Sequence, residues 1–340
     1  MLPLHILLGT IEFEIFSNNM NTLYWNVSNW LQDFQEASEH KDKSALRELR
    51  IAVFEHTVKC VASNGYLSPS GAYVSLGNSE KMMRGTCFYR QALPPVERMC
   101  TYETEIKVLN EDTLVTAKIL LDEGLRPAVL NMASRRNPGG GVTTGSGAQE
   151  ENLFRRTNLF RSLYQFAIYA SKYGLKKSPC QYPLDRNWGG IYTPGATVFK
   201  GAESEGYPLL EDPFEVDFIA VPAVNRPELD GEGMIVPYLA EATKNKMRTL
   251  FRIALVHGND SLVLGAFGCG AFRNPPEHIA QIFHQVLEED EFKDRFKKIF
   301  FAILDDHNTG HKHNPDGNYL PFVKEFAGSD RSHLPGNRRH

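Results

Sequence analysis

Apolar residues recur along this chain with two different periods, and the switches between them mark its elements. Over residues 44–62, Leu46, Leu49, Val53, Val58 and Val61 form a loose helical stripe. Asn64-Gly65 supplies the stop. From Thr104 the pattern alternates between strand and helix. Residues 104–109 predict a strand. Asp112, whose carboxylate can accept the orphan N–H groups of a first turn, predicts a helix through Leu121. Residues 127–132 predict a buried strand, and residues 150–173 a long helix closed by Gly174. Further strands fit residues 191–199, 216–221, 262–267 and 298–304. Helices fit residues 238–256 and 276–289, the second with a proline in its first turn. Strands alternating with helices predict an α/β sandwich.

The regions flanking this pattern differ in character. Residues 1–43 read as an N-terminal helical extension in which Trp25, Trp30 and Phe34 can pack onto a neighbour, while residues 36–43 are mostly polar. Residues 328–340 read as a polar, frayed tail. The expected domain is therefore residues 44–327. A chain of 340 residues with 42% hydrophobic and 23% charged residues has the composition of a soluble globular protein. The net charge of −4 offers no global basic field for sequence-specific nucleic-acid binding, so a polyanion would need a local pocket of donors.

The five cysteines, Cys60, Cys87, Cys100, Cys180 and Cys269, are odd in number and contain no CxxC pair, which fits free thiols in a reducing compartment. The apolar run from Leu2 to Leu8 is short, lacks a basic flank and soon meets Glu12 and Glu14, unlike a signal peptide. No run approaches the ~18 apolar residues of a membrane span. The expectation is an intracellular protein, cytoplasmic or alternatively nuclear, with no membrane partner.

The densest chemistry lies in VLNMASRRNPGGGVTTGSGAQEENLFRRTN, residues 129–158. A buried strand containing Asn131 runs into Pro138 and Gly139, Gly140 and Gly141. Glycines admit positive φ and let backbone N–H groups approach a ligand, which suits a phosphate or diphosphate. Taken alone, a triple glycine fits a surface turn. After a spacer of seven residues come Gln149, Glu150 and Glu151 at a helix start. Taken alone, two such carboxylates merely complement the helix macrodipole. Together in one short span, the loop can fold the acids back beside the nest.

Gly-Gly-Gly, seven residues and Gln-Glu-Glu resemble the signature of poly(ADP-ribose) glycohydrolases. Residues 130–134 (LNMAS) with Asn137-Pro138 resemble the microbial, bacterial-type branch. The resemblance covers roughly residues 44–327. It implies a macrodomain-like three-layer α/β/α sandwich with a mixed sheet.

A second constellation, residues 261–287, has a strand, Gly268-Cys269-Gly270 and a helix after Pro275-Pro276. Exposed N–H groups and helix N-termini bind phosphate. Gly268-Cys269-Gly270-Ala271-Phe272 resembles the second diphosphate loop of macrodomain glycohydrolases, which implies that Gly270, Ala271 and Phe272 line the diphosphate and distal ribose. Cys269, between glycines and without a His motif nearby, reads as a small packing residue rather than a nucleophile.

Two further segments carry weaker signals. Asp305, Asp306, His307, His311 and His313 have ligand chemistry for zinc, but their Asn-, Gly- and Pro-rich setting reads as a loop. The expectation is no metal and no cofactor. Residues 110–114 resemble a segment of the microbial branch in which an acidic residue reads the adenine amino group, and Glu111 and Asp112 are both candidates.

The resemblance implies a hydrolase that cleaves ribose–ribose O-glycosidic bonds and releases ADP-ribose. Glu151 would be general acid and then base, Glu150 would hold a ribose hydroxyl, and Gln149 would order the site. A helix start favours carboxylate anions, whereas a general acid must be protonated, so desolvation and neighbouring anions must supply the difference. Two alternatives compete. A mono(ADP-ribosyl) hydrolase acting on modified protein or nucleic acid keeps the chemistry. A non-catalytic ADP-ribose reader would need the glycine loops but not both carboxylates.

Overall fold

The structure, a computed structural model, describes residues 23–77, 79–97, 101–305 and 312–327. In chain order its elements are α1 (Val27–Glu39), α2 (Lys43–Ala62), β1 (Gly65–Leu67), β2 (Tyr73–Ser75), α3 (Ser79–Gly85), β3 (Cys87–Tyr89), β4 (Glu105–Leu109) and α4 (Thr113–Asp122). There follow β5 (Pro127–Met132), α5 (Gln149–Arg156), α6 (Leu159–Tyr164), β6 (Gly190–Lys200), β7 (Leu209–Val221) and α7 (Pro237–Val256). The last are β8 (Ser261–Leu264), α8 (Pro276–Leu287), β9 (Lys298–Ala302) and α9 (Tyr319–Phe326). A mixed seven-stranded sheet has the order β3-β6-β7-β5-β8-β9-β4. Its β7-β5-β8-β9-β4 run is parallel, and β3 pairs antiparallel with β6.

The chain divides into two units. One comprises Gly85–Pro138, Leu163–Gly195 and Val216–His340. Its strands are apolar on both faces, as parallel strands covered by helices must be. On one face Ala128, Leu130, Leu262, Leu264, Ile299 and Phe301 pack with Met247, Leu250 and Phe251 of α7, Ile279 and Phe283 of α8, and Phe322 of α9. Phe283 centres this core, with ring centroids 5.2 Å from Phe301 and 6.2 Å from Phe267. The alternate residues Val129, Val263 and Phe300 turn to the other face. There α4, which buries Leu114, Ala117 and Leu120, lies against β5, β8 and β9. Helix, sheet and helix are the layers expected of a macrodomain-like α/β/α sandwich.

The other unit comprises Met1–Arg84, Gly139–Ser162 and Ala196–Glu215. Asn26 and Asp42 cap α1 and α2 by accepting N–H bonds from the first turns. Trp30 of α1 stacks on Phe34, meets Tyr207 edge-on and packs with Val53 of α2. The tryptophan-bearing segment thus contributes core.

Most elements lie within a residue or two of their expected bounds. Asp112 caps α4 as expected, accepting bonds from Leu114 and Val115 N–H. The long helix expected over residues 150–173 is instead broken. Thr157 is extended, with φ −138° and ψ 169°, and bridges Val198 antiparallel. Asn158 Oδ1 accepts Thr197 N–H at 2.8 Å, and Thr157 Oγ1 accepts Leu159 N–H to restart α6. A β-branched residue followed by asparagine gives the backbone partners outside the helix. Gly174 still closes the segment, with φ +67°, after a short turn over Ala170–Tyr173. The strand expected over 262–267 ends at Leu264. Helix α9 had no clear sequence signal. No described helix is long and apolar enough to cross a membrane. Residues 328–340 lie outside the described residues.

Candidate active site

The glycine loop and the acid pair sit in one unit and hold each other. Gly139 and Gly140 have φ of +76° and +55°, the left-handed region that side chains rarely adopt. Close packing reinforces the requirement. A Cβ at Gly139 would lie 2.7 Å from Phe154 Cδ1, and one at Gly140 would lie 3.2 Å from Glu150 Oε2 and closer still to Glu151 Oε1.

Gly139 N–H donates to Glu150 Oε1 at 3.0 Å, and Gly141 N–H donates to Glu151 Oε1 at 2.7 Å. Two N–H groups expected to face a phosphate are thus already committed to the carboxylates. Both acids are nearly inaccessible, Glu150 at 3% and Glu151 at 7% exposure. Buried carboxylates are costly unless hydrogen-bonded, and these backbone donors meet that demand. Gln149, half-buried, opens α5, whose N-cap Ala148 gives no side-chain cap.

Behind the acids, Arg155 fixes α5. It lies four residues after Glu151 and is fully buried. Its Nε donates to the Tyr207 hydroxyl at 2.7 Å and its Nη1 to the Ser146 carbonyl at 2.8 Å. Ser146 N–H in turn donates to the Gly141 carbonyl at 3.1 Å. A continuous polar chain therefore runs from Arg155 through Ser146 and Gly141 to Glu151. At its far end the Tyr207 hydroxyl donates to Glu203 at 2.6 Å, and Arg50 clasps Glu203 with two bonds at 2.7 and 2.9 Å. Burial pushes the Glu203 carboxyl upward, but the Arg50 donors and charge, the Tyr207 hydroxyl and Arg155 outweigh it and hold it below the usual range.

The remaining expected residues lie in the other unit. Asn131 is wholly buried near the end of β5, and among the described residues neither of its amide atoms has a hydrogen-bond partner. Leaving a buried amide unpaired costs about 1–3 kcal/mol, so this group calls for a ligand or water.

In the second loop Gly268 has φ +76°, and a Cβ there would lie 2.6 Å from that of Ala223. Asn274 Nδ2 staples the loop by donating to the Gly268 carbonyl at 3.0 Å and to the Val224 carbonyl at 2.8 Å. Cys269 is fully buried, and burial followed by the nearby Glu277 charge pushes its thiol well above the usual range. That is the packing residue expected rather than a nucleophile. Gly270 and Ala271 are exposed, with no heavy atom within 4 Å of a Cβ at Gly270, and Phe272 is half-buried against the core.

The weaker candidates are occupied locally or fall elsewhere. The Asp112 carboxylate caps α4, and Glu111 Oε1 accepts Asp112 N–H at 2.7 Å. Asp306, His307 and His311 lie outside the described residues, while His313 Nε2 bonds the Cys269 carbonyl at 2.9 Å. Among the described residues no group of three or more His, Cys, Asp or Glu could hold a metal ion.

Arg155, Arg50, Glu203, Tyr207 and Asn274 were not singled out by sequence reasoning. Arg155 reads there as an ordinary basic residue in a last helical turn, and nothing local announces that it is buried.

The microbial-type PARG catalytic domain, PARG denoting poly(ADP-ribose) glycohydrolase, matches residues 55–201. Among solved structures, poly(ADP-ribose) glycohydrolase from Thermomonospora curvata, bound to the inhibitor ADP-HPD, is 30% identical with a TM-score of 0.65. That match covers 82% of this chain and 99% of the other. The enzyme from Deinococcus radiodurans in complex with ADP-ribose is 28% identical with a TM-score of 0.56, covering 75% of this chain and 99% of the other. No curated protein matches. With a glycine loop holding two buried glutamates, and this likeness over nearly the whole of a solved relative, the chain belongs to the microbial-type poly(ADP-ribose) glycohydrolase family.

Proposed function

We propose that this protein hydrolyses the ribose–ribose O-glycosidic bonds of poly(ADP-ribose) and releases ADP-ribose. The observation that carries the reading is the pair of buried glutamates, each with one oxygen bound to a loop N–H group. The relatives' complexes with ADP-ribose and ADP-HPD support ADP-ribose as the ligand and product.

In this mechanism Gly141 N–H fixes Glu151 through Oε1, and Oε2 is the oxygen that gives and regains the proton. Glu151 protonates the leaving ribose oxygen as the C1–O bond breaks, and the anomeric carbon passes through an oxocarbenium-like state. Water then adds to that carbon, and its proton returns to Glu151, which restores the acid. Glu150 holds a ribose hydroxyl. Asn131 pairs its orphan amide with the ligand, and Gly270, Ala271 and Phe272 line the diphosphate and distal ribose. No cofactor enters.

Incubation of the protein with defined poly- and mono-ADP-ribosylated substrates tests this reading. Released ADP-ribose is expected from the polymer, with the mono-modified substrates cleaved much more slowly. Cleavage of the mono-modified substrates alone would replace polymer by single-unit chemistry. Binding without cleavage of either would leave a reader.

The two loops differ in what a side chain meets. Gly140→Val drives its Cβ into the acid pair and is expected to reduce both turnover and ADP-ribose affinity. Gly270→Val meets open space, so it is expected to fold normally and to weaken ADP-ribose while affecting adenosine much less. Calorimetry with both ligands checks this. Unchanged ADP-ribose affinity in folded Gly270→Val would remove the second loop from the site.

A further inference from the structure

Immediately before the glycine loop the chain gathers positive charge that the chemistry above does not use. Arg135 and Arg136 follow β5, and the backbone there is bound to the segment around Leu184. Leu184 N–H donates to the Arg135 carbonyl at 2.9 Å, and Arg135 Nη1 donates to the Leu184 carbonyl at 3.1 Å. This brings Arg186, two residues on, beside the pair. Burial and then the charges of Arg186 and Arg136 lower the Arg135 pKa, as expected where like charges crowd.

A fourth cation lies with them. Lys246 of α7 is 1% exposed, and its ammonium makes one long bond, 3.4 Å, to the Asp185 carbonyl. The neighbouring acid, Asp185, spends its carboxylate on the Asn187 and Trp188 N–H groups at 2.8 and 2.7 Å. Among the described residues none of the three arginines forms an ion pair. Arg136 and Arg186 are exposed and, among the described residues, form no side-chain hydrogen bond. Arg135 and Lys246 thus share one committed carboxylate, Asp185, with Arg136 and Arg186 beside Arg135, in a chain whose net charge is −4.

A buried ammonium with one weak bond, its pKa lowered by burial to about 8, beside guanidinium groups that have no ion pair among the described residues, makes a charge cluster that Asp185 only partly offsets and that an anion would stabilise. Guanidinium forks suit phosphate in particular. Arg136 stands three residues before Gly139, whose N–H holds Glu150, so chain length alone keeps its Cα within about 11 Å of Gly139. An anion bound by Arg136 is therefore a short stretch of chain from the loop that holds Glu150.

We propose that Arg135, Arg136, Arg186 and Lys246 form a subsite for the diphosphate of the ADP-ribose unit adjoining the one released. This rests on the glycohydrolase reading above. It also supplies the preference for polymer, because a single-unit conjugate has no second diphosphate to place there. Arg136 and Arg186 provide the exposed, salt-sensitive contacts, and Lys246 adds a buried charge beside Arg135.

The test is the double variant Arg136→Glu/Arg186→Glu, with thermal melting as the folding control. Binding of long poly(ADP-ribose) to wild type and variant is followed by fluorescence anisotropy across salt concentrations, and ADP-ribose affinity by calorimetry. The variant is expected to bind polymer at least ~10-fold more weakly, with a salt slope shallower by about 1, while ADP-ribose affinity is unchanged. The polymer KM should rise with little change in kcat. Unchanged polymer affinity and salt slope would overturn the subsite while leaving the glycohydrolase reading intact. A single-stranded DNA oligonucleotide of equal charge is the comparison. Equal binding of DNA by wild type, lost equally in the variant, would also overturn the proposal by making the cluster a general polyanion surface. Absence of polymer cleavage by wild type would count against the function, but the anisotropy comparison would still decide the subsite.

Discussion

Glu151→Gln is expected to retain ADP-ribose affinity while losing at least ~100-fold in polymer turnover, the scale for removing a general acid. Glutamine keeps the shape of the side chain, and its carbonyl oxygen can still accept the Gly141 N–H bond that glutamate accepts at 2.7 Å. Its amide cannot give up a proton to the leaving ribose or recover one from water. Geometry and proton transfer are therefore separated by a single substitution. Calorimetry with ADP-ribose, paired with a polymer-cleavage assay, measures both. Near-normal turnover would remove Glu151 from the acid role.

Arg155→Met is expected to cost about 3 kcal/mol of stability, at the lower end for breaking a buried charge network by removing one partner. Glu203 keeps its two bonds to Arg50, which limits the loss. The Ser146 carbonyl loses its buried donor and the Tyr207 hydroxyl loses the Arg155 N–H. Urea unfolding gives the stability change from the midpoint and slope. Because Ser146 links Arg155 to the Gly141 backbone, the folded variant is also expected to show a lower kcat with ADP-ribose affinity largely kept. A loss below about 1 kcal/mol, the worth of an ordinary hydrogen bond, would show that the network is not what fixes α5.

The sequence carried the parts of this fold that depend on local pattern. Buried parallel strands such as Pro127–Met132 are short apolar runs bounded by breakers, and Asp112 caps a helix by a reach of two or three residues. The joint spacing of Gly139–Gly141 and Glu150-Glu151 was also legible, because loop and acids are neighbours in the chain. The break at Thr157 was not, since it depends on pairing with Val198, forty-one residues away. Nor was the use of the glycine N–H groups. Composition says that they can approach an anion, but only the folded loop makes those anions Glu150 and Glu151. The same reason hid Arg155 and the cationic cluster. Burial of Arg155 depends on Tyr207 and Glu203, and Arg186 is brought beside Arg135 by the Leu184 backbone.

The two buried glutamates are expected to face the ribose of a bound ADP-ribose. A crystal structure of the protein with ADP-ribose tests it most directly. The expected result has the distal ribose within hydrogen-bond distance of Glu150 and Glu151, and the Asn131 amide, which has no hydrogen-bond partner among the described residues, bonded to the ligand. An ADP-ribose bound away from the glutamates, with Asn131 still unpaired, would contradict it.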